Sequence, residues 1–111
     1  MKKIVNTIMI VARPDFVSQF KFWMENDQMP KVVAAIGEGA SASLIVMDET
    51  IEPDNHTFMV QYEFPNQEAY NMYIDGKGKE MSQRFKDKVV VFGNERAAVK
   101  SRMLGEQLVR I

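Results

Sequence analysis

The chain has no cysteine, one histidine, one tryptophan and four prolines in 111 residues. Without cysteine there is no disulfide framework, no thiolate metal ligand and no cysteine nucleophile. The lone histidine, His56, and the scattered carboxylates show no ligand spacing for a metal centre. No metal and no cofactor are therefore expected. A dominant charge is also missing: 14 basic residues against 15 acidic ones leave a net charge of −1, which argues against a generic polyanion binder. No stretch approaches the ~18 apolar residues of a membrane span. Met1-Lys2-Lys3 and the apolar run after it have the outline of a signal peptide. Asn6 and Thr7 interrupt that run, Arg13-Pro14-Asp15 closes it, and no small-x-small cleavage site follows. The expectation is a cytoplasmic protein with no membrane segment.

What is present is ordinary globular composition, 46% hydrophobic and 26% charged, so disorder is excluded. The length predicts one domain over residues 1–111. Lys3 to Ala12 reads as a central strand, apolar on both faces. Pro14 and Asp15 suit the start of a helix. Phe16, Val17, Phe20, Trp23 and Met24 then share one helical stripe, with Phe22 left among polar residues. That helix should fade near Asp27, because Pro30 disfavours helical geometry before it. Ala34 to Ala42 reads as a connection and Ser43 to Thr50 as a second strand. Glu52-Pro53-Asp54-Asn55 is a turn. His56 to Phe64 is a third strand, with Phe58, Val60, Tyr62 and Phe64 on one face and Met59, Gln61 and Glu63 on the other. Asn66 is a candidate helix cap. Tyr70, Tyr73, Ile74, Met81 and Phe85 follow on one helical face, which Gly76 and Gly78 weaken by roughly 1 kcal/mol each. A fourth strand begins near Glu95, with Arg96, Ala98, Lys100 and Arg102 on one face. Gly105 to Ile111 reads as a tail or a partner contact.

The order β-α-β-β-α-β predicts an α+β, ferredoxin-like fold: a four-stranded antiparallel sheet with two helices on one face. The other face is then uncovered and carries Met59 with Val5 and Met9, or with Ile8 and Ile10. Monomers rarely leave such a patch in water, so a homodimer packed sheet against sheet is expected.

Three segments carry a family resemblance: Trp23-Met24-Glu25 with Met29-Pro30-Lys31-Val32, Thr57 to Tyr62, and Arg84-Phe85-Lys86-Asp87-Lys88 running on to Phe92. The chain resembles, over roughly Ile4 to Ser101, the small bacterial family called domain of unknown function 4286, which is similar in architecture to dimeric α+β barrel proteins. The resemblance implies that fold and dimerisation but no chemistry. Gln28 stands where the family usually has a histidine, so a proton-transfer or ligand role for that histidine does not carry over.

Few residues offer reactive chemistry. His56 sits beside a turn and reads as a solvated strand end. Gly37-Glu38-Gly39 and Gly76-Lys77-Gly78 match no phosphate-binding fingerprint, and Ser41 and Ser43 lack the elbow of a hydrolase. Residues 77–102 hold eight bases against three acids. RNA-recognition domains share this strand order, but they stack bases on aromatics of the first and third strands. The first strand here has none, so no nucleic acid partner is expected. Asn6, Gln61 and Glu63 are the candidate ligand-binding residues, as polar groups on an otherwise apolar, dimer-covered sheet. The expected function is a homodimer binding a small apolar or aromatic molecule between the sheets, with no catalytic residue. The alternative is a dimeric-barrel enzyme similar to small monooxygenases or isomerases.

Overall fold

The computed structural model describes residues 2–48 and 52–108. β1 (Ile4–Ala12) lies between β3 (His56–Phe64) and β6 (Ala97–Glu106), and β2 (Ser41–Val46) pairs with β3 on the far side. The sheet is antiparallel in the order β2-β3-β1-β6. β4 (Val90–Val91) and β5 (Asn94–Glu95) form a small separate hairpin before β6. Its tip holds Phe92 and Gly93 at φ of 50° and 75°, the twist that tight hairpins favour.

One face of the sheet is covered by helices. α1 (Val17–Trp23) follows a single 3-10 turn at Pro14–Phe16. The helix does not fade at Asp27. It passes through a π-helical turn, Met24–Gln28, into α2 (Met29–Ile36). The wider turn bonds the Met29 amide to the Met24 carbonyl. Pro30, which has no amide hydrogen, then falls in the first turn of α2, where none is needed. The chain Ala34 to Ala42 is therefore partly helix and partly strand, with only residues 37–40 as connection. β2 starts two residues earlier than expected. Thr50, its expected end, lies outside the described residues, as do Val109, Arg110 and Ile111 of the expected tail.

β3 has the bounds that its alternation predicts. Asn66 caps α3 (Gln67–Asp75), its side chain accepting from the Ala69 amide at 2.8 Å. The helix breaks at Gly76, and α4 (Lys77–Val89) continues. The core lies between these helices and the sheet: Ile4, Ile8 and Ile10 of β1 and Phe58, Val60, Tyr62 and Phe64 of β3 meet Phe16, Phe20, Trp23, Met24, Val32 and Met81. Phe64 packs on Tyr70 and Tyr73, with ring centroids 5.1 and 5.5 Å apart.

β6 corrects the simple alternation. Ile10 pairs with Val99 and Met9 with Ser101, so Lys100 is an extra residue in a bulge. Beyond it the faces exchange. Arg102 lies opposite Ile8, on the helix side, while Ser101 and Met103 face the other way. The expected basic face of this strand therefore does not exist. The bulged Lys100 instead reaches Glu52 of the β2–β3 connection, at 2.6 Å. Val11 and Thr57, on the face away from the helices, are buried at this end of the sheet.

Lys100 holds the Glu52 carboxyl below its ordinary pKa, and Glu52 raises that of the lysine. A lowered carboxyl stabilises the fold above its unfolded pKa of about 4.3, and a raised lysine does so below its unfolded pKa of about 10.4. The clamp is accordingly lost as pH falls below the first value or rises above the second. At low salt, the melting temperature of Lys100→Met should approach that of the wild type at both extremes and lie below it between them. Parallel curves across the whole range would show that the pair contributes nothing.

Candidate ligand-binding site

Directly opposed residues of an antiparallel pair share a face. Asn6 opposes Tyr62, while Thr7 opposes Gln61 and Val5 opposes Glu63. Asn6 is therefore on the helix side, and Gln61 and Glu63 are on the open face. The three do not form one site. The sequence left this open because β1 is apolar on both faces.

On the open face, the Gln61 amide donates to the Thr7 hydroxyl at 3.3 Å. Glu63 accepts from the Ser41 hydroxyl and lies 4.0 Å from the Lys3 ammonium. Their polar groups are thus engaged within their own sheet. His56, the first residue of β3, is exposed.

Asn6 instead lines a crevice of about 80 Å3 between the sheet and the helices. Its walls are apolar, with Ile8, Val60, Met81, Phe85 and Val99 among them. Its polar groups are Asn6, Tyr62 and Arg102 from three adjacent strands, Tyr73 from α3 and Ser82 from α4. Burial, and then the neighbouring Tyr73, push the Tyr62 phenol above its ordinary pKa, with Arg102 opposing. Burial also pushes Tyr73 up to about 12, again against Arg102. Both phenols are protonated at neutral pH and can donate hydrogen bonds. Among the described residues Arg102 makes no ion pair.

Tyr73 packs closely against Gly78. A Cβ at Gly78 would lie 2.7 Å from the Tyr73 carbonyl oxygen and 3.0 Å from its ring. Gln28 also lines the crevice, but both ends of its amide are engaged. Its nitrogen donates to the Met81 carbonyl at 2.9 Å, and its oxygen accepts from Arg84 at 2.9 Å. Arg84 continues to both Asp27 carboxylate oxygens at 3.1 and 3.2 Å. Gln28 thus ties the π turn to α4.

Tyr62, Tyr73 and Arg102 were not singled out from the sequence. A tyrosine on a core-facing strand position is a usable signal, since its hydroxyl must find a partner or water. Arg102 had no such signal, because the bulge reverses its face. Among the described residues no group of three or more His, Cys, Asp or Glu could hold a metal ion, and no helix is long and apolar enough to cross a membrane.

No curated protein matches the chain. Among solved structures it is similar to a dimeric ferredoxin-like protein from an uncultured marine organism, with 13% identity and a TM-score of 0.58. That likeness covers 98% of this chain and 97% of the other. It is also similar to the de novo designed protein Foldit4, at 9% identity and a TM-score of 0.55, over 97% and 99% of the two chains. At such identities the likeness is one of fold, and fold does not carry function. The match to a family is more direct: residues 3–101 fit the one described as Domain of unknown function (DUF4286), and the chain belongs to it.

Proposed function

We propose that this chain is a single cytoplasmic domain that works as a non-catalytic homodimer, a dimeric α+β barrel of ferredoxin-like topology, and binds a small apolar molecule. The observation that carries the dimer is the open face of the sheet. Val5 and Met9 of β1, Met59 of β3, Ile45 of β2 and Met103 of β6 stand on it together. Ile45 and Met103 are 39% and 68% exposed in the single chain. A second copy would remove this apolar surface from water, a gain of roughly 25 cal/mol per Å2. The structural neighbour from an uncultured marine organism is itself a dimeric ferredoxin-like protein, which supports the same arrangement.

The ligand belongs on the other side of the sheet, in the crevice that Asn6 lines. Gln61 and Glu63 then serve at the dimer interface or its rim. Nucleic acid is a poor fit for either surface. The open face carries Val5, Thr7 and Met9 on β1 and Met59, Gln61 and Glu63 on β3, with no aromatic platform for bases. Much of the basic excess is compensated within the chain, through Lys77–Glu80, Arg84–Asp27, Arg96–Asp15 and Lys100–Glu52.

Sedimentation velocity at micromolar concentration should show a dimer, and Met59→Lys should sediment as a folded monomer. A wild-type chain that remains monomeric at tens of micromolar would refute the dimer.

A further inference from the structure

We infer that the helix-side crevice is a site for a small carboxylic acid with a short apolar body, bound as its anion through Arg102, Tyr62 and Tyr73. The inference rests on the ligand-binding reading above and adds the chemistry of the ligand.

Two features of the crevice select an anion. Arg102 is brought to it by the bulge at Lys100 and, among the described residues, has no carboxylate partner of its own. An unpaired guanidinium recognises a carboxylate by charge-assisted, two-pronged hydrogen bonds. The two tyrosines add neutral hydroxyl donors from β3 and α3. Among the described residues no carboxylate lines the crevice to compete for them.

Two other features limit the rest of the ligand. The rest of the lining is mostly aliphatic and aromatic and carries no second charged group, so a second charge on the ligand would find no ionic partner among the described residues. The volume is about 80 Å3. That is smaller than the ~150 Å3 cavity that accepts benzene. The body of the ligand is thus about two or three carbons, as in a short unbranched acid. Inorganic phosphate would satisfy the cation but leave the apolar walls empty.

The test compares propanoate with its neutral isostere propanamide, and with inorganic phosphate, by titration of the protein. Calorimetry and NMR of ring-labelled tyrosine are the readouts. The acid should bind at least about tenfold more tightly than the amide, a difference expected of a charged hydrogen bond, and should move the Tyr62 and Tyr73 ring signals. Arg102→Gln should abolish the preference for acid over amide. Arg102→Lys, which keeps the charge and loses the fork, should retain part of it. Because Arg102 is exposed on a strand edge, both variants should fold, which their circular dichroism will show. Equal binding of acid and amide would overturn the anion assignment while leaving a ligand site in place. Phosphate binding as tightly as the acid would overturn the apolar body. Binding of none of the three at millimolar concentration would overturn both this inference and the ligand-binding reading.

Discussion

Phe20→Ala should lower the free energy of unfolding by about 3–5 kcal/mol, the range for removing a buried aromatic from a packed core. Phe20 is fully buried where α1, β3 and α4 meet. Its ring centroid lies 5.3 Å from Phe58, 6.1 Å from Phe16 and 6.2 Å from Phe85, the last in edge-to-face contact. Four rings converge on one point, so the surroundings cannot collapse into the space left by one of them. Domains of this size have roughly 5–15 kcal/mol of total stability, and the variant would retain only part of it. Phe22→Ala, two residues on in the same helix, is the control. Phe22 is 70% exposed, and its truncation should stay within about 0.5 kcal/mol of wild type. Urea unfolding of the two variants decides the matter. Equal losses would mean that the helix is not packed by the face described above.

Gly78→Ala should also destabilise, against what helix propensity alone would give. In an ordinary helix the change gains roughly 1 kcal/mol. Here the added Cβ would sit 2.7 Å from a backbone oxygen, that of Tyr73, and 3.0–3.1 Å from two carbons of the Tyr73 ring. A carbonyl cannot rotate aside as a side-chain tip does, so α3 and α4 must separate. Overpacking of this kind costs about 1–3 kcal/mol. Gly105 offers the contrast. It has no atom within 4 Å of its Cβ position and no positive φ, so Gly105→Ala should be neutral or gain up to about 1 kcal/mol by restricting the unfolded chain. If Gly78→Ala raises the melting temperature as well, the close approach of α3 to α4 is not a constraint. Since Tyr73 lines the crevice, the same variant should also disturb the site.

Much of the fold was legible because its signals are local. The alternation of Phe58, Val60, Tyr62 and Phe64 has a period of two and fixed both ends of β3. Asn66 announced its helix by side-chain chemistry that needs only the next three residues. The misreadings share a different origin. Pro30 signals a stop when each turn is taken as α-helical, but a π turn places its missing amide hydrogen where no bond is made. The bulge at Lys100 leaves no mark in the sequence, because it is set by pairing with β1 ninety residues away. The candidate site suffered most from this. Asn6 groups with Gln61 and Glu63 in the sequence but not in the sheet, since a strand apolar on both faces does not reveal which of its residues point the same way. Arg102 was placed on the wrong side by one residue of parity.

The bulge has a consequence for how this chain can tolerate changes in length. Lys100 is a spare residue in the ladder: without it, Ile10 would still oppose Val99, Met9 would oppose Ser101 and Ile8 would oppose Arg102. A one-residue deletion there dissolves the irregularity and leaves Arg102 facing the crevice, at the cost of the contact to Glu52. β1 has no such slack. It is hydrogen-bonded on both sides, and losing one residue from its middle would reverse every downstream side chain against two neighbours at once. Natural length variation in this architecture should therefore accumulate in the last strand and be purged from the first.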